Sequence, residues 1–234
     1  MLSAIGLHEF YAMALPPARR AEALLSAAIG TALAAAILFR PEAAAGEGAL
    51  VAAVLALAVP FLFRYQSLET VGRDLALSMF GLLYVPLLLS HAGLLRQSEH
   101  GREWVALVLL IVMASDSLAY FSGMAFGRHR LYEAISPKKS IEGAFGGLAG
   151  GVLGTLAAKL WLLPQLQAAD VLLLGLGVGA FSQVGDLVES MFKRSFGVKD
   201  SGTLFPGHGG LLDRLDSLLF AFPATYYYVT WFVK

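Results

Sequence analysis

Seven apolar runs, each about long enough to cross a lipid bilayer, dominate this sequence. A helix needs about 20 mostly apolar residues to span ~30 Å of hydrocarbon. The runs lie at 21–40, 49–64, 74–95, 104–126, 143–163, 170–192 and 211–233. Hydrophobic residues make up 57% of the chain and charged residues only 15%, against about 25% charged in soluble domains. The sequence therefore predicts an all-α polytopic membrane bundle of about seven transmembrane helices.

A shorter apolar stretch precedes these runs. Residues 1–17 end in two prolines that are followed by Arg19 and Arg20. The stretch lacks the basic start, apolar run and cleavage site of a signal peptide. It predicts a short N-terminal helix, which either lies in the membrane interface or is the remnant of a further span; we favour the remnant. Since repeats and linkers are absent, we expect one membrane domain over 1–234, with N-terminal spans to about 100 and a motif-bearing half from about 104.

The distribution of basic residues predicts the orientation. Lys plus Arg and Asp plus Glu both count 17, so net charge gives no reason to expect a nucleic-acid partner. Most Lys and Arg residues fall in alternate loops, which places the two most basic loops, 127–142 and 193–213, on one side. Cytoplasmic loops are enriched in Lys and Arg. We therefore expect both loops to face the cytoplasm of a bacterial-type inner membrane.

The fifth run carries glycines in two helical rows. The rows are Gly143, Gly147 and Gly151, and Gly146, Gly150 and Gly154. Small residues four apart let membrane helices pack closely. Two interpretations stay open, packing within one subunit and a homodimer interface.

Ionisable residues inside the apolar runs indicate a functional site. A charged side chain is costly in lipid and by default marks function. These residues are Asp116 in the fourth run, Asp186 and Glu189 in the sixth, and Asp213 and Asp216 at the start of the seventh. On the sixth helix Asp186, Ser190 and Lys193 share one face with Glu189, because they are spaced by three, four and seven residues.

A basic, glycine-rich loop joins the sixth and seventh runs. It contains Lys199, Asp200 and the turn 206–210, and it leads into Asp213 and Arg214. Glycines before a helix N-terminus expose N–H groups to which phosphate can bind. Carboxylates beside such a loop suit Mg²⁺ with a polyphosphate. Each feature alone also fits an ordinary ion pair, turn or basic flank, but their concentration in one segment favours a polyphosphate site.

Two blocks carry a family resemblance. The stretch from Ser190 to Asp216 resembles, over its whole length, the diagnostic segment of phosphatidate cytidylyltransferases, also called CDP-diacylglycerol synthases. Just upstream, 183–190 is similar to the helix that supplies a metal-binding aspartate in that family. The block from Asp116 through Ser136-Pro137-Lys138-Lys139-Ser140-Ile-Glu142-Gly143 resembles its substrate-site motif. The resemblance covers 114–220, and reaches the first hundred residues only in hydropathy.

The resemblance implies an enzyme that joins CTP to phosphatidate, giving CDP-diacylglycerol and pyrophosphate. It implies Mg²⁺ as cofactor, which a second cation such as K⁺ could join, and the two substrates and membrane lipid as partners, beside the homodimer left open above. The implied catalytic residues are Asp186, Ser190, Lys193, Asp213 and Arg214, with Asp186 and Asp213 as metal ligands. The implied substrate-binding residues are Asp116, Tyr120, Ser136, Pro137, Lys138, Lys139, Ser140, Glu142, Arg194, Lys199, Asp200, His208, Gly209, Gly210 and Asp216.

Two rival functions remain. A polyprenol or phytol kinase also uses CTP in the membrane, but lacks the complete segment from Lys199-Asp200 to Asp213-Arg214. An ion-coupled transporter would use intramembrane carboxylates for cation coupling. Against a transporter, the acidic residues cluster towards one membrane face and no inverted repeat is visible.

Overall fold

A computed structural model describes residues 1–40, 43–64, 67–207 and 209–233, and nine α-helices form within them. The helices are α1 (Leu2–Ala14), α2 (Arg20–Phe39), α3 (Ala43–Phe63), α4 (Leu68–Leu82), α5 (Leu88–Gln97), α6 (Gly101–Phe126), α7 (Ile141–Trp161), α8 (Ala168–Ser195) and α9 (Leu212–Phe232). Two short strands, β1 (Arg130–Tyr132) and β2 (Ser136–Ser140), separate α6 from α7. The prediction of an all-α bundle is confirmed.

Six helical stretches in the described part are long and apolar enough to cross a membrane. They are Pro17–Phe39, Ala44–Phe63, Leu68–Gln97, Gly101–Phe126, Ile141–Trp161 and Ala168–Ser195. The chain is therefore a multi-pass membrane protein. Helix α9 covers the predicted seventh run but is less apolar, because charged residues open it and three tyrosines, 226–228, lie near its end. Helix α1, with 13 residues, is about 20 Å long and too short to span.

The third span is longer than the predicted 74–95. It runs over Leu68–Gln97 and passes through a π-helical segment at Leu83–Leu87 that contains Pro86. Proline has no N–H, so the regular helical hydrogen bonding is interrupted there. The Ser90 hydroxyl donates to the Pro86 carbonyl oxygen at 2.6 Å. The helix continues past the proline directly into α5.

The residues group into two compact units. Unit 1 contains Met1–Ser90 and Phe196–Arg214, and unit 2 contains His91–Ser195 and Leu215–Lys234. The glycine-rich loop thus belongs to unit 1, together with α1 to α4. The cavity described below belongs to unit 2.

A buried ion cluster ties the helices of unit 1 together. The Arg19 side chain is 1% exposed, and its Nε lies 3.2 Å from Asp74 Oδ2. Its Nη1 donates to the Arg64 carbonyl oxygen at 2.9 Å and lies 3.4 Å from Glu22 Oε1. Because a buried charge is tolerated only when it is paired, Arg19 joins α2 to α4 and to the end of α3.

The glycine rows of α7 pack within unit 2. A Cβ at Gly150 would meet the Ala114 carbonyl of α6, and one at Gly151 would meet the Gly175 carbonyl of α8. The two rows therefore let α6 and α8 approach the α7 backbone from two sides. Of the two interpretations of the glycine rows, packing within one subunit is confirmed for these positions.

We expect Gly150→Ala to lower the free energy of unfolding by about 1–3 kcal/mol, since the added methyl overlaps backbone that cannot rotate away. Gly177→Ala on α8 is the matched control, because a Cβ there has nothing within 4 Å and alanine is the better helix former. Thermal unfolding in detergent measures both variants. Equal midpoints would contradict the packing assignment.

Candidate functional site

A cavity of about 440 Å³ lies in unit 2, within the usual range for small-molecule sites. Its walls come from α6, α7, α8 and both strands. Six of the predicted site residues line it: Asp116, Tyr120, Lys138, Lys139, Ser140 and Asp186. Gln183, which was not predicted, also lines it and donates to the Ala144 carbonyl oxygen at 3.1 Å.

A β-hairpin brings the two lysines to the cavity. Strands β1 and β2 are antiparallel, with Arg130 opposite Ser140. Strand β2 leads directly into α7, where the Ser140 hydroxyl caps the helix by accepting the Gly143 N–H at 3.1 Å. The segment 127–142 was predicted as a loop, and the hairpin corrects that prediction. Ser136 and Pro137 begin the strand that carries Lys138 and Lys139.

Glu142 closes the base of this hairpin. Its Oε2 accepts the backbone N–H groups of Arg128 and His129 at 3.1 and 3.3 Å. Its Oε1 lies 2.7 Å from His129 Nδ1. Glu142 was predicted to bind substrate, and that role stays a prediction. In the structure its carboxylate fixes the start of the hairpin against α7.

Asp186 contacts a lysine and a serine at the cavity. Its Oδ2 lies 2.6 Å from Lys139 Nζ, and its Oδ1 accepts the Ser190 hydroxyl at 3.4 Å. Asp116 and Asp216 both interact electrostatically with Asp186. A Cβ at Gly185 would meet the Asp216 carbonyl oxygen, so α8 and α9 cross closely beside the cavity.

The predicted polar face of α8 is present. Besides the pair of Asp186 and Ser190, Lys193 Nζ lies 3.5 Å from Glu189 Oε2, and both side chains are buried. Lys193 was predicted to be catalytic. Its ammonium pairs with the carboxylate of Glu189, one helical turn earlier on α8. Arg194 is exposed in the last turn of α8.

Asp213 organises the glycine-rich loop of unit 1. Its Oδ2 accepts the N–H groups of Ser201 and Gly210, both at 2.8 Å, and the Ser201 hydroxyl at 2.9 Å. Gly209 has a φ of 81°, a left-handed conformation that favours glycine. The predicted role of Asp213 as a metal ligand stays a prediction. Of the other predicted loop residues, His208 lies outside the described residues, and three are exposed: Lys199, Asp200 and Arg214.

Glu9 was missed by the sequence analysis. Its carboxylate accepts the N–H groups of Leu211 and Leu212 at 2.8 and 2.9 Å, and lies 3.2 Å from the Ser201 hydroxyl oxygen. An acidic residue inside the apolar stretch 1–17 was the signal that could have found it. The rule that singled out Asp116 applies equally to Glu9.

The model of the cytidylyltransferase family matches residues 1–232. This chain belongs to the cytidylyltransferase family. It is similar to the phosphatidate cytidylyltransferase of Staphylococcus epidermidis, with 44% identity over 125 residues, 53% of this chain and 48% of the relative. For that of Mycobacterium bovis the identity is 41% over 146 residues, 62% and 47% of the two chains. For that of Staphylococcus saprophyticus it is 37% over 150 residues, 64% and 57%.

The predicted resemblance to this family is confirmed. The chain spans about half the length of the curated relatives it matches. The identity covers 53–64% of the chain, and the match to the family model includes the first hundred residues as well.

Two carboxylates of the cavity would be the protein ligands of a hard divalent cation. Within the described ranges, no three His, Cys, Asp or Glu side chains are grouped to hold a metal. Asp116 and Asp186, however, place two carboxylates on one cavity. Proteins usually hold Mg²⁺ through one or two carboxylates together with substrate phosphates. Two carboxylates therefore suit a divalent cation that takes its remaining ligands from water or from a bound phosphate.

Proposed function

We propose that this chain is a magnesium-dependent phosphatidate cytidylyltransferase, which converts CTP and phosphatidate to CDP-diacylglycerol and pyrophosphate. The observation that carries the proposal is the cavity that Lys138 and Lys139 of one strand line, and in which Lys139 pairs with Asp186 of α8. The cavity thus brings together lysines that can bind phosphate and a carboxylate that can bind Mg²⁺. All of them belong to the sequence blocks that resemble the family's motifs. The names of the similar relatives support the same activity.

In the proposed reaction a phosphate oxygen of phosphatidate attacks the α-phosphorus of CTP. The bond from that phosphorus to the oxygen bridging to the β-phosphorus breaks, and its electrons leave with pyrophosphate. A phosphate monoester is largely deprotonated near neutrality, so the attack requires neither a general base nor a covalent nucleophile. The protein's task is to align the two substrates and to neutralise charge.

Lys138 and Lys139 would bind phosphate oxygens of CTP, because an ammonium is a compact positive charge with three donors. Asp186 would hold Mg²⁺ with Asp116 beside it, and the ion would neutralise the polyphosphate. Asp213 is proposed separately as a metal ligand in the loop of unit 1, and K⁺ as a second cation. The remaining cations of the motif would bind phosphate oxygens: Lys193, Arg194, Lys199 and Arg214.

The exposed side chains in the wall of the cavity support the proposal of a lipid substrate. Tyr120 and Met124 line the cavity, yet they are 65% and 67% exposed. On a helix that spans a membrane, such exposed apolar side chains contact acyl chains. A lipid could therefore enter laterally while its phosphate reaches the lysines.

The proposal is tested with purified protein, CTP and Mg²⁺. We expect CDP-diacylglycerol to form when phosphatidate is present, and no product to form when diacylglycerol replaces it. Phosphorylation of a lipid alcohol with release of CDP would favour the kinase. Absence of both products, with cation-coupled uptake into vesicles, would favour the transporter.

We propose that the cavity faces the cytoplasm, because the basic loops do so by the positive-inside rule. The chain has no cysteine, so a maleimide would label only the cysteine that is introduced. We expect cysteines at the exposed positions Glu133 and Thr203 to react with a membrane-impermeant maleimide from the cytoplasmic side, and one at Glu99 from the outside. Labelling of Thr203 and Glu99 from one side would contradict this orientation.

A further inference from the structure

The Glu9 carboxylate of α1 binds the segment just before α9, about 200 residues later in the chain. Its Oε1 accepts the Leu211 N–H at 2.8 Å and its Oε2 accepts the Leu212 N–H at 2.9 Å. The residue is 7% exposed. A buried carboxylate is costly unless hydrogen bonds compensate it, and here both oxygens accept one.

These two N–H groups lie where α9 begins. The first N–H groups of a helix have no partner within it, and the positive end of the helix dipole attracts an anion. Glu9 therefore acts as a cap supplied by another helix. A charged acceptor makes such hydrogen bonds about twice as strong as neutral ones.

Glu9 also connects to Asp213 through one hydroxyl. The Ser201 Oγ lies 3.2 Å from Glu9 Oε2 and 2.9 Å from Asp213 Oδ2, and it accepts the Asp213 N–H at 3.3 Å. Because a hydroxyl has one hydrogen, it donates to one carboxylate at a time. A Cβ at Gly202 or Gly210 would lie within 3.0 Å of Glu9 atoms. The loop backbone is thus fitted closely around this carboxylate.

Neighbouring residues of α1 contact both ends of the same segment. The Phe10 ring is 6.2 Å from the Phe196 ring at the start of the loop. A Cβ at Gly6 would lie 3.2 Å from the Leu212 side chain. Helix α1 therefore lies along the loop from its first residue to the start of α9.

We propose that Glu9 is a positioning residue for the reaction, and that it acts by fixing the 201–214 backbone from which Asp213 and Arg214 project. This inference rests on the proposed function, because it takes these two residues as part of the phosphate and metal machinery. Glu9 itself would not touch a substrate. It sets where the functional groups stand, and a displacement of about 1 Å can cost ~100-fold in rate.

The test compares Glu9→Gln with Glu22→Gln. Glutamine has nearly the volume of glutamate but only one acceptor oxygen. Its NH₂ group would face a backbone N–H, and two donors cannot form a hydrogen bond. Glu22 is a matched control, since it is also a buried glutamate of unit 1, 6% exposed, but it pairs with Arg19. We expect Glu9→Gln to speed amide hydrogen exchange in peptides covering 201–212 by about 10- to 100-fold. We expect kcat to fall by a similar factor, while KM for CTP changes less than threefold.

Glu22→Gln should lower the unfolding midpoint but leave loop exchange and kcat unchanged. The proposal is overturned if Glu9→Gln leaves loop exchange and kcat at wild-type values, or if Glu22→Gln changes both equally. An inactive wild type would refute the proposed function, whereas loop exchange would still report whether Glu9 fixes the backbone. If Glu9→Gln fails to fold, Ser201→Ala replaces it as the test. We expect Ser201→Ala to speed loop hydrogen exchange and to lower kcat, both by smaller factors than Glu9→Gln. Wild-type loop exchange and kcat in Ser201→Ala would contradict the proposal.

Discussion

Asp186→Asn should lower turnover at ordinary Mg²⁺ by about 100- to 1,000-fold, the usual cost of removing one electrostatic group from a reaction site. A hard cation needs anionic oxygen, and the amide offers a neutral carbonyl in the same volume. The substitution also removes the charge that faces Lys139 Nζ at 2.6 Å. Steady-state assays give kcat, and chromatographic behaviour shows that the variant remains folded.

Asp170→Asn is the matched control for this variant. Asp170 lies in the first turn of α8 and accepts the Gln167 N–H and the Tyr228 hydroxyl, so we expect wild-type kcat from it. Mg²⁺ should raise the unfolding midpoint of the wild type, because it binds the folded state. Asp186→Asn should show a smaller Mg²⁺-dependent rise. Wild-type kcat in this variant, or an unchanged Mg²⁺ effect, would refute the metal proposal.

Lys139→Met should reduce kcat/KM for CTP by about 100-fold, because it removes a cation from a cavity that keeps two carboxylates. The anionic nucleotide would then meet Asp116 and Asp186 without the facing ammonium. Methionine retains most of the apolar stem of lysine, so the packing of the hairpin should change little. The measurement is the CTP dependence of the rate at fixed Mg²⁺ and fixed phosphatidate.

Lys159→Met provides the comparison for Lys139→Met. Lys159 lies in the last turn of α7 and belongs to the same unit, but the proposal gives it no part in the reaction. We expect its kcat/KM for CTP to stay within about twofold of the wild type, since exposed or half-exposed charges contribute little. Equal losses in the two variants would mean that Lys139 acts only through general charge or stability.

The sequence predicted the helices well because the bilayer sets their length. The predicted runs 104–126, 143–163 and 170–192 correspond to Gly101–Phe126, Ile141–Trp161 and Ala168–Ser195. Their limits shift by three residues or fewer, and shifts such as those at 102–103 and 193–194 add charged residues. Helical spacing also predicted the polar face of α8. The pairs of Ser190 with Asp186 and of Lys193 with Glu189 confirm it.

Features that depend on distant contacts could not be predicted in this way. The strand Ser136–Ser140 has no apolar alternation to indicate it, and it exists through pairing with β1 and the cap on α7. The capping role of Glu9 depends on which backbone N–H groups lie beside it, about 200 residues later in the chain. A residue type and its hydropathy carry no information about such a partner.

The part of CTP that enters the lipid decides whether this chain transfers a cytidylyl group or a phosphoryl group. Purified protein is given phosphatidate, Mg²⁺ and CTP labelled either in the cytosine ring or at the γ-phosphorus. We expect the ring label to enter the lipid as CDP-diacylglycerol while the γ label is released as pyrophosphate, in equal amounts. Ring label that stays in water-soluble nucleotide while γ label enters the lipid would contradict it and identify a CTP-dependent lipid kinase.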